Sequence, residues 1–138
     1  MKIKRVWANL SVADVEKTHR FYKTLGFRPN GEFPNEHGLA SFLVGKDDFI
    51  IHFFSRDSSQ FKKSLGGEIA DLSQGNEVMF TLSADSKEDV DQWAQEVEKA
   101  GGSVFSKPQQ IFQEGWYGCG FQDPDGHKWN VFHSANKM

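Results

Sequence analysis

Apolar and polar residues alternate along the first dozen positions of the chain. Ile3, Arg5, Trp7, Asn9 and Ser11 share one parity, and Val6, Ala8, Leu10 and Val12 share the other. A strand sends these two sets to opposite faces. The second set is uniformly apolar, so Ile3–Val12 is predicted as a strand that packs on a helix. The period then changes. Val15, Thr18, Phe21, Tyr22 and Leu25 recur at helical spacing behind the start signal Ser11-x-x-Asp14, and Gly26 follows as a stop. A helix is expected over about Asp14–Leu25. Phe27–Pro34 reads as irregular extended chain and Asn35–Gly38 as a turn. Leu39–Val44 and Phe49–Ser55 read as strands joined by Gly45-Lys46-Asp47-Asp48. The unit is β-α-β-β-β.

Arg56–Asn76 is polar, without a strong period, and long for a loop inside one compact unit. It is expected to connect two halves, with a helical turn around Phe61–Leu65. The first pattern then returns. In Glu77–Ser83, Val78, Phe80 and Leu82 share one face, and Glu77, Met79 and Thr81 the other. Ser86-x-x-Asp89 starts a helix over about Lys87–Ala100, with Val90, Trp93, Ala94 and Val97 as its stripe and Gly101-Gly102 as its stop. Ser103–Phe112 is extended. Trp116–Phe121 and His127–His133 form a hairpin around Asp123-Pro124-Asp125-Gly126. Pro124 presets the first corner, Asp125 tolerates the second, and Gly126 supplies a positive φ. Beyond the turn, Trp129 and Val131 face one way, and Lys128, Asn130 and Phe132 the other. Asn130 is thus a polar side chain within an aromatic strand.

The expected fold is α+β: tandem βαβββ modules forming a cupped, mostly antiparallel sheet with helices on the outer face. It is expected as a single domain over residues 1–138, with module one at about 1–55, a connector at 56–76 and module two at 77–138.

Composition sharpens this picture in a few places. At 138 residues the chain can bury roughly two-thirds of its unfolded surface. Thirteen Phe and four Trp suggest a core or cavity built from rings. A net charge of −3 with scattered Lys and Arg argues against a nucleic-acid surface. The single Cys119 excludes an intramolecular disulfide and fits a reducing compartment. There is no apolar span of membrane length and no signal-type opening, so a cytoplasmic protein without membrane contact is expected. Cys119 reads as a structural thiol, and His19, His37, His127 and His133 as surface or edge residues.

Superposing the two halves by pattern marks four positions. The strand before each helix gives Trp7 and Glu77, and the last strand of each module gives His52 and Asn130. If the modules pair by pseudo-twofold symmetry, these side chains converge on a shared cavity. Polar groups among rings are costly to bury unless paired or bound to something. Asn9, Phe54, Trp116 and Tyr117 are further candidates for the lining of such a pocket.

Two βαβββ modules carrying the segment LSVADVEKTHRFYKTLGF and the hairpin FQDPDGHKWNV resemble the vicinal oxygen chelate superfamily, which includes glyoxalase I, the bleomycin-resistance binding proteins and the extradiol dioxygenases. Within it the chain is most similar to lactoylglutathione-lyase-like bacterial proteins. In glyoxalase I-like members the four facing positions are metal ligands. Carried over by motif, they fall on Trp7, His52, Glu77 and Asn130. Trp7 has no lone pair to give a cation, and Asn130 stands where that pattern has a ligand Glu. The resemblance therefore implies a metal-poor site, with no cofactor expected and at most a weakly bound divalent metal. It also implies a homodimer.

Two functions follow as expectations. The first is a small-molecule-binding protein of the glyoxalase and bleomycin-resistance type, with an aromatic pocket around Trp7, Asn9, His52, Phe54, Glu77, Trp116 and Asn130. The second is a glyoxalase-like lyase or isomerase, with Glu77 as proton-transfer base and His52 as polariser.

Overall fold

A computed structural model describes residues 1–135. The chain divides into two compact units, the first Met1–Ala70 and the second beginning at Asp71. Each holds a four-stranded mixed sheet, and the three helices complete an α+β chain of repeated βαβββ modules. No helix among the described residues is long and apolar enough to cross a membrane.

In the first unit the elements are β1 (Trp7–Val12), α1 (Val15–Thr24), β2 (Arg28–Pro29), β3 (Ala40–Val44), β4 (Phe49–Ser55) and α2 (Ser59–Leu65). The sheet order is β1-β4-β3-β2. β1 runs parallel to β4, and the other neighbours are antiparallel. Asp14 caps α1 by accepting from the Lys17 N–H at 3.1 Å. Ser11, expected to help start that helix, instead lies buried in β1. α1 turns Tyr22 onto Phe42 of β3 and Phe53 of β4, with Phe21 edge-on to Tyr22, all at most 2% exposed. Tyr22 stacks on Phe53 with ring centres 4.8 Å apart. Ile51 joins this face, so its strand neighbours Ile50, His52 and Phe54 point to the other one.

The second unit contains β5 (Met79–Ser83), α3 (Lys87–Ala100), β6 (Ser103–Gln110), β7 (Trp116–Gln122) and β8 (Lys128–Ser134). Its sheet order, β5-β8-β7-β6, repeats the arrangement of the first, with β5 parallel to β8. Ser86 caps α3 by accepting from the Asp89 N–H. Val90 and Val97 of α3 are fully buried. Trp93 stacks on Phe121, which stacks on Trp129, which in turn meets Phe80. Phe80 and Trp129 are thus on the helix face, as their parity predicts.

Two strands are shorter than the alternation predicts. β1 starts at Trp7, whose partner Ile50 is the second residue of β4, so residues before Val6 have no ladder to join. Ile3 and Val6 are correspondingly exposed. β5 starts at Met79, opposite Lys128, the first residue of β8. Glu77 and Val78 lie beyond that end, and Val78, expected on the apolar face, is exposed. Alternation alone cannot hold a strand once its partner stops. The helical turn expected near Phe61–Leu65 is the two-turn helix α2, capped by Ser58.

The closing hairpin shows why the Asp-Pro-Asp-Gly turn is so definite. Gly126 adopts φ +100°. Its N–H bonds the Asp123 carbonyl at 3.0 Å. Asp123 is 1% exposed, and its Oδ1 accepts from the N–H groups of Asp125 and His127. One buried carboxylate therefore organises the turn that sets the β7–β8 register.

Candidate functional site

The parallel β1–β4 pair determines the geometry in the first unit. Asn9 lies opposite His52, with Trp7 two residues before Asn9 and Phe54 two residues after His52. By strand parity all four share the face away from α1. The sequence grouping of Trp7, Asn9, His52 and Phe54 is therefore a real grouping on one sheet. Trp7 is 49% exposed. Phe54 is partly covered by α2, stacking on Phe61 at 5.0 Å, and the His52 ring meets Phe54 edge-on at 6.1 Å.

His52 is held by residues that the sequence reading did not single out. Its Nδ1 is 2.9 Å from the Ser41 hydroxyl oxygen. Ser41 sits directly across from it on β3 and is 8% exposed. The Asn30 side-chain amide donates to the same oxygen at 3.0 Å, and the Asn30 N–H bonds the Ser41 carbonyl. Burial pushes the His52 pKa below the usual histidine value, favouring the neutral ring. The sequence marks Ser41 only as the one polar residue of Ala40–Val44, a mark that takes its meaning from the pairing with His52.

In the second unit Asn130 faces away from α3. It is flanked by Thr81 of β5 and Gly120 of β7. Trp116 shares this face and packs edge-on against Phe132 at 5.3 Å, whereas Tyr117, expected to line the pocket with it, points to the helix side and bonds Asp91 of α3. The glycines of β7 matter here. A Cβ on Gly120 would stand 2.6 Å from the Phe105 ring, and one on Gly118 would stand 2.7 Å from the Val131 carbonyl oxygen. Phe105 thus lies across Gly120, beside Asn130, with the Lys128 ammonium 4.6 Å from its ring centre.

Glu77 differs from the rest. It is exposed, precedes β5, and makes no hydrogen bond or ion pair among the described residues.

In glyoxalase I-like proteins the positions of Trp7, His52, Glu77 and Asn130 hold a metal. Among the described residues no three His, Cys, Asp or Glu side chains gather into a group able to hold an ion. His52 spends Nδ1 on Ser41, Trp7 and Phe54 on the same face supply no ligand atom, and Asn9 opposite His52 offers only an amide oxygen. These residues do not fit a catalytic metal centre, which asks for three firm protein ligands.

Comparison with known proteins places this geometry in a wider group. The family model for the Glyoxalase/Bleomycin resistance protein/Dioxygenase superfamily matches residues 4–131. A hypothetical protein, SA1046 of S. aureus, is similar in structure, with a TM-score of 0.80 at 31% identity over 96% of this chain and 95% of that one. A glyoxalase-related enzyme from Fulvimarina pelagi gives 0.77 at 18% identity, over 96% and 89%. The fosfomycin resistance protein FosX from Listeria monocytogenes, in complex with Mn(II) and sulfate, gives 0.69 at 15% identity, over 98% and 93%. No curated protein matched the chain.

Proposed function

The chain belongs to the Glyoxalase/Bleomycin resistance protein/Dioxygenase superfamily, and within it we propose a small-molecule-binding protein with a metal-poor, aromatic site. The observation that carries this reading is the sheet face bearing Trp7, Asn9, His52 and Phe54. It combines an exposed indole with a polar group fixed by a buried partner. Such surfaces hold a ligand by apolar burial and orient it with a few placed polar groups. Trp116 and Asn130, on the corresponding face of the second unit, have the same character and are proposed as ligand contacts too. The protein is proposed to act as a cytoplasmic homodimer of single-domain chains.

The lyase or isomerase reading draws less support. It asks Glu77 to be a general base, yet Glu77 is exposed, precedes β5 and makes no hydrogen bond or ion pair among the described residues. It also asks for a metal that these donors do not suit.

A thermal-shift screen of aromatic small molecules tests the proposal. A ligand present at about a hundred times its Kd stabilises the fold by about 2.7 kcal/mol. A hit should raise Tm and quench tryptophan fluorescence, and Trp7→Ala should abolish the shift without lowering the unliganded Tm. A screen with no hit, or a hit indifferent to Trp7→Ala, contradicts the reading.

A further inference from the structure

The Ser41 hydroxyl has one proton and two recorded partners. Asn30 Nδ2 donates to its oxygen at 3.0 Å, and His52 Nδ1 lies 2.9 Å away. No further acceptor for that hydroxyl exists among the described residues, and Ser41 is 8% exposed. A buried hydroxyl keeps its proton satisfied. With Asn30 already donating, His52 Nδ1 is the acceptor that the described residues offer the Ser41 proton. With that nitrogen as acceptor, the proton of the neutral ring sits on Nε2. His52 Nε2 has no partner among the described residues and is not sealed from solvent.

We propose that the Asn30–Ser41–His52 chain fixes the histidine tautomer so that Nε2–H is offered on the sheet face beside Asn9, making this face a subsite for an oxygen acceptor on the ligand. The matching chemistry is an aromatic compound carrying a carboxylate, carbonyl or phosphoryl oxygen. The aromatic body is suited to Trp7 and Phe54, and the oxygen to His52. This deepens the small-molecule reading and rests on it. Ser41 and Asn30 are positioning residues: they touch no ligand and act through the imidazole.

The tautomer can be read without any ligand, by nitrogen NMR of histidine-labelled protein. In the wild type, His52 Nδ1 should appear as the unprotonated nitrogen and Nε2 as the protonated one. Asn30→Asp replaces the donor with an acceptor that draws the Ser41 proton away, and His52 should then move toward the Nδ1–H form. Ser41→Ala should give a mixture of tautomers. A purely structural chain would change stability without moving this signature. The second arm compares 2-naphthoate with 2-ethylnaphthalene. The carboxylate should bind at least tenfold tighter in the wild type, and that preference should fall severalfold in Asn30→Asp. A wild-type ring protonated at Nδ1, or equal binding of the two probes, overturns the inference while leaving a small-molecule site intact. Failure of both probes to shift Trp7, His52 or Phe54 removes the site itself, and the inference with it.

Discussion

The Tyr117 hydroxyl donates to Asp91 Oδ1 at 2.6 Å, tying β7 to the first turns of α3. That hydrogen bond, with desolvation and the nearby negative charges adding to it, pushes the Tyr117 pKa up to about 12 from 10.0. Tyr117→Phe should cost about 0.5–1.5 kcal/mol, at the lower end because the phenol is only half-buried. The pH dependence has a definite sign. A raised folded pKa means the native state holds its proton longer, so the contribution is complete below pH 10 and is lost as pH rises toward 12. Urea unfolding at pH 8 and pH 11 should therefore show a smaller gap between wild type and variant at the higher pH.

Asp123 is expected to be among the least replaceable polar residues of the second unit. Its buried Oδ1 takes N–H groups from Asp125 and His127. Asp123→Ala leaves both donors without their acceptor, a loss of about 2–4 kcal/mol by the usual scale of bonds to charged acceptors. Denaturant titration reads it directly, and a change below the error of the method would show that the turn holds without the carboxylate.

The two glycines of β7 should respond differently to alanine. At Gly118 the new methyl meets the Val131 carbonyl oxygen, which is backbone and cannot swing away. At Gly120 it meets the Phe105 ring, which is 51% exposed and free to rotate outward. Gly118→Ala should cost about 1–3 kcal/mol, and Gly120→Ala markedly less. Equal Tm values for the two variants would contradict this.

Cys119 is 2% exposed and donates weakly to the Val90 carbonyl of α3 at 3.8 Å. Burial, with the Asp91 charge adding to it, pushes its pKa up to about 11. Native protein at pH 8 should resist iodoacetamide and react only as denaturant unfolds it, because the thiolate is the reactive form. Rapid stoichiometric alkylation of the native chain would mean the thiol is reachable.

Much of the fold was legible because periodicity and punctuation agree. α3 lies where Ser86 and Gly101 bracket the Val90–Val97 stripe, and the β7–β8 hairpin lies where Asp123-Pro124-Asp125-Gly126 places it. The misreadings share one cause. Ile3 and Val78 continue an alternation past the last residue of the partner strand, and no local pattern reveals where a partner ends. The same limit affects Glu77: its parity is that of Met79 and Thr81, but no strand remains there to direct it. Ser41 went unread for a different reason. A serine in a short apolar strand gains meaning only when pairing sets it opposite His52. Phe105 over Gly120 was likewise hidden, because the irregular β6–β7 register that brings the ring there is a tertiary feature.

The central claim is that the sheet face around His52 receives a small aromatic ligand. Chemical-shift mapping during a titration with 2-naphthoate tests it most directly. The account predicts saturable shifts concentrated on Trp7, Asn9, Ser41, His52 and Phe54, with Thr18 and Tyr22 on the helix side unmoved. Shifts scattered over the surface, or centred on the α1 side of the sheet, would contradict it.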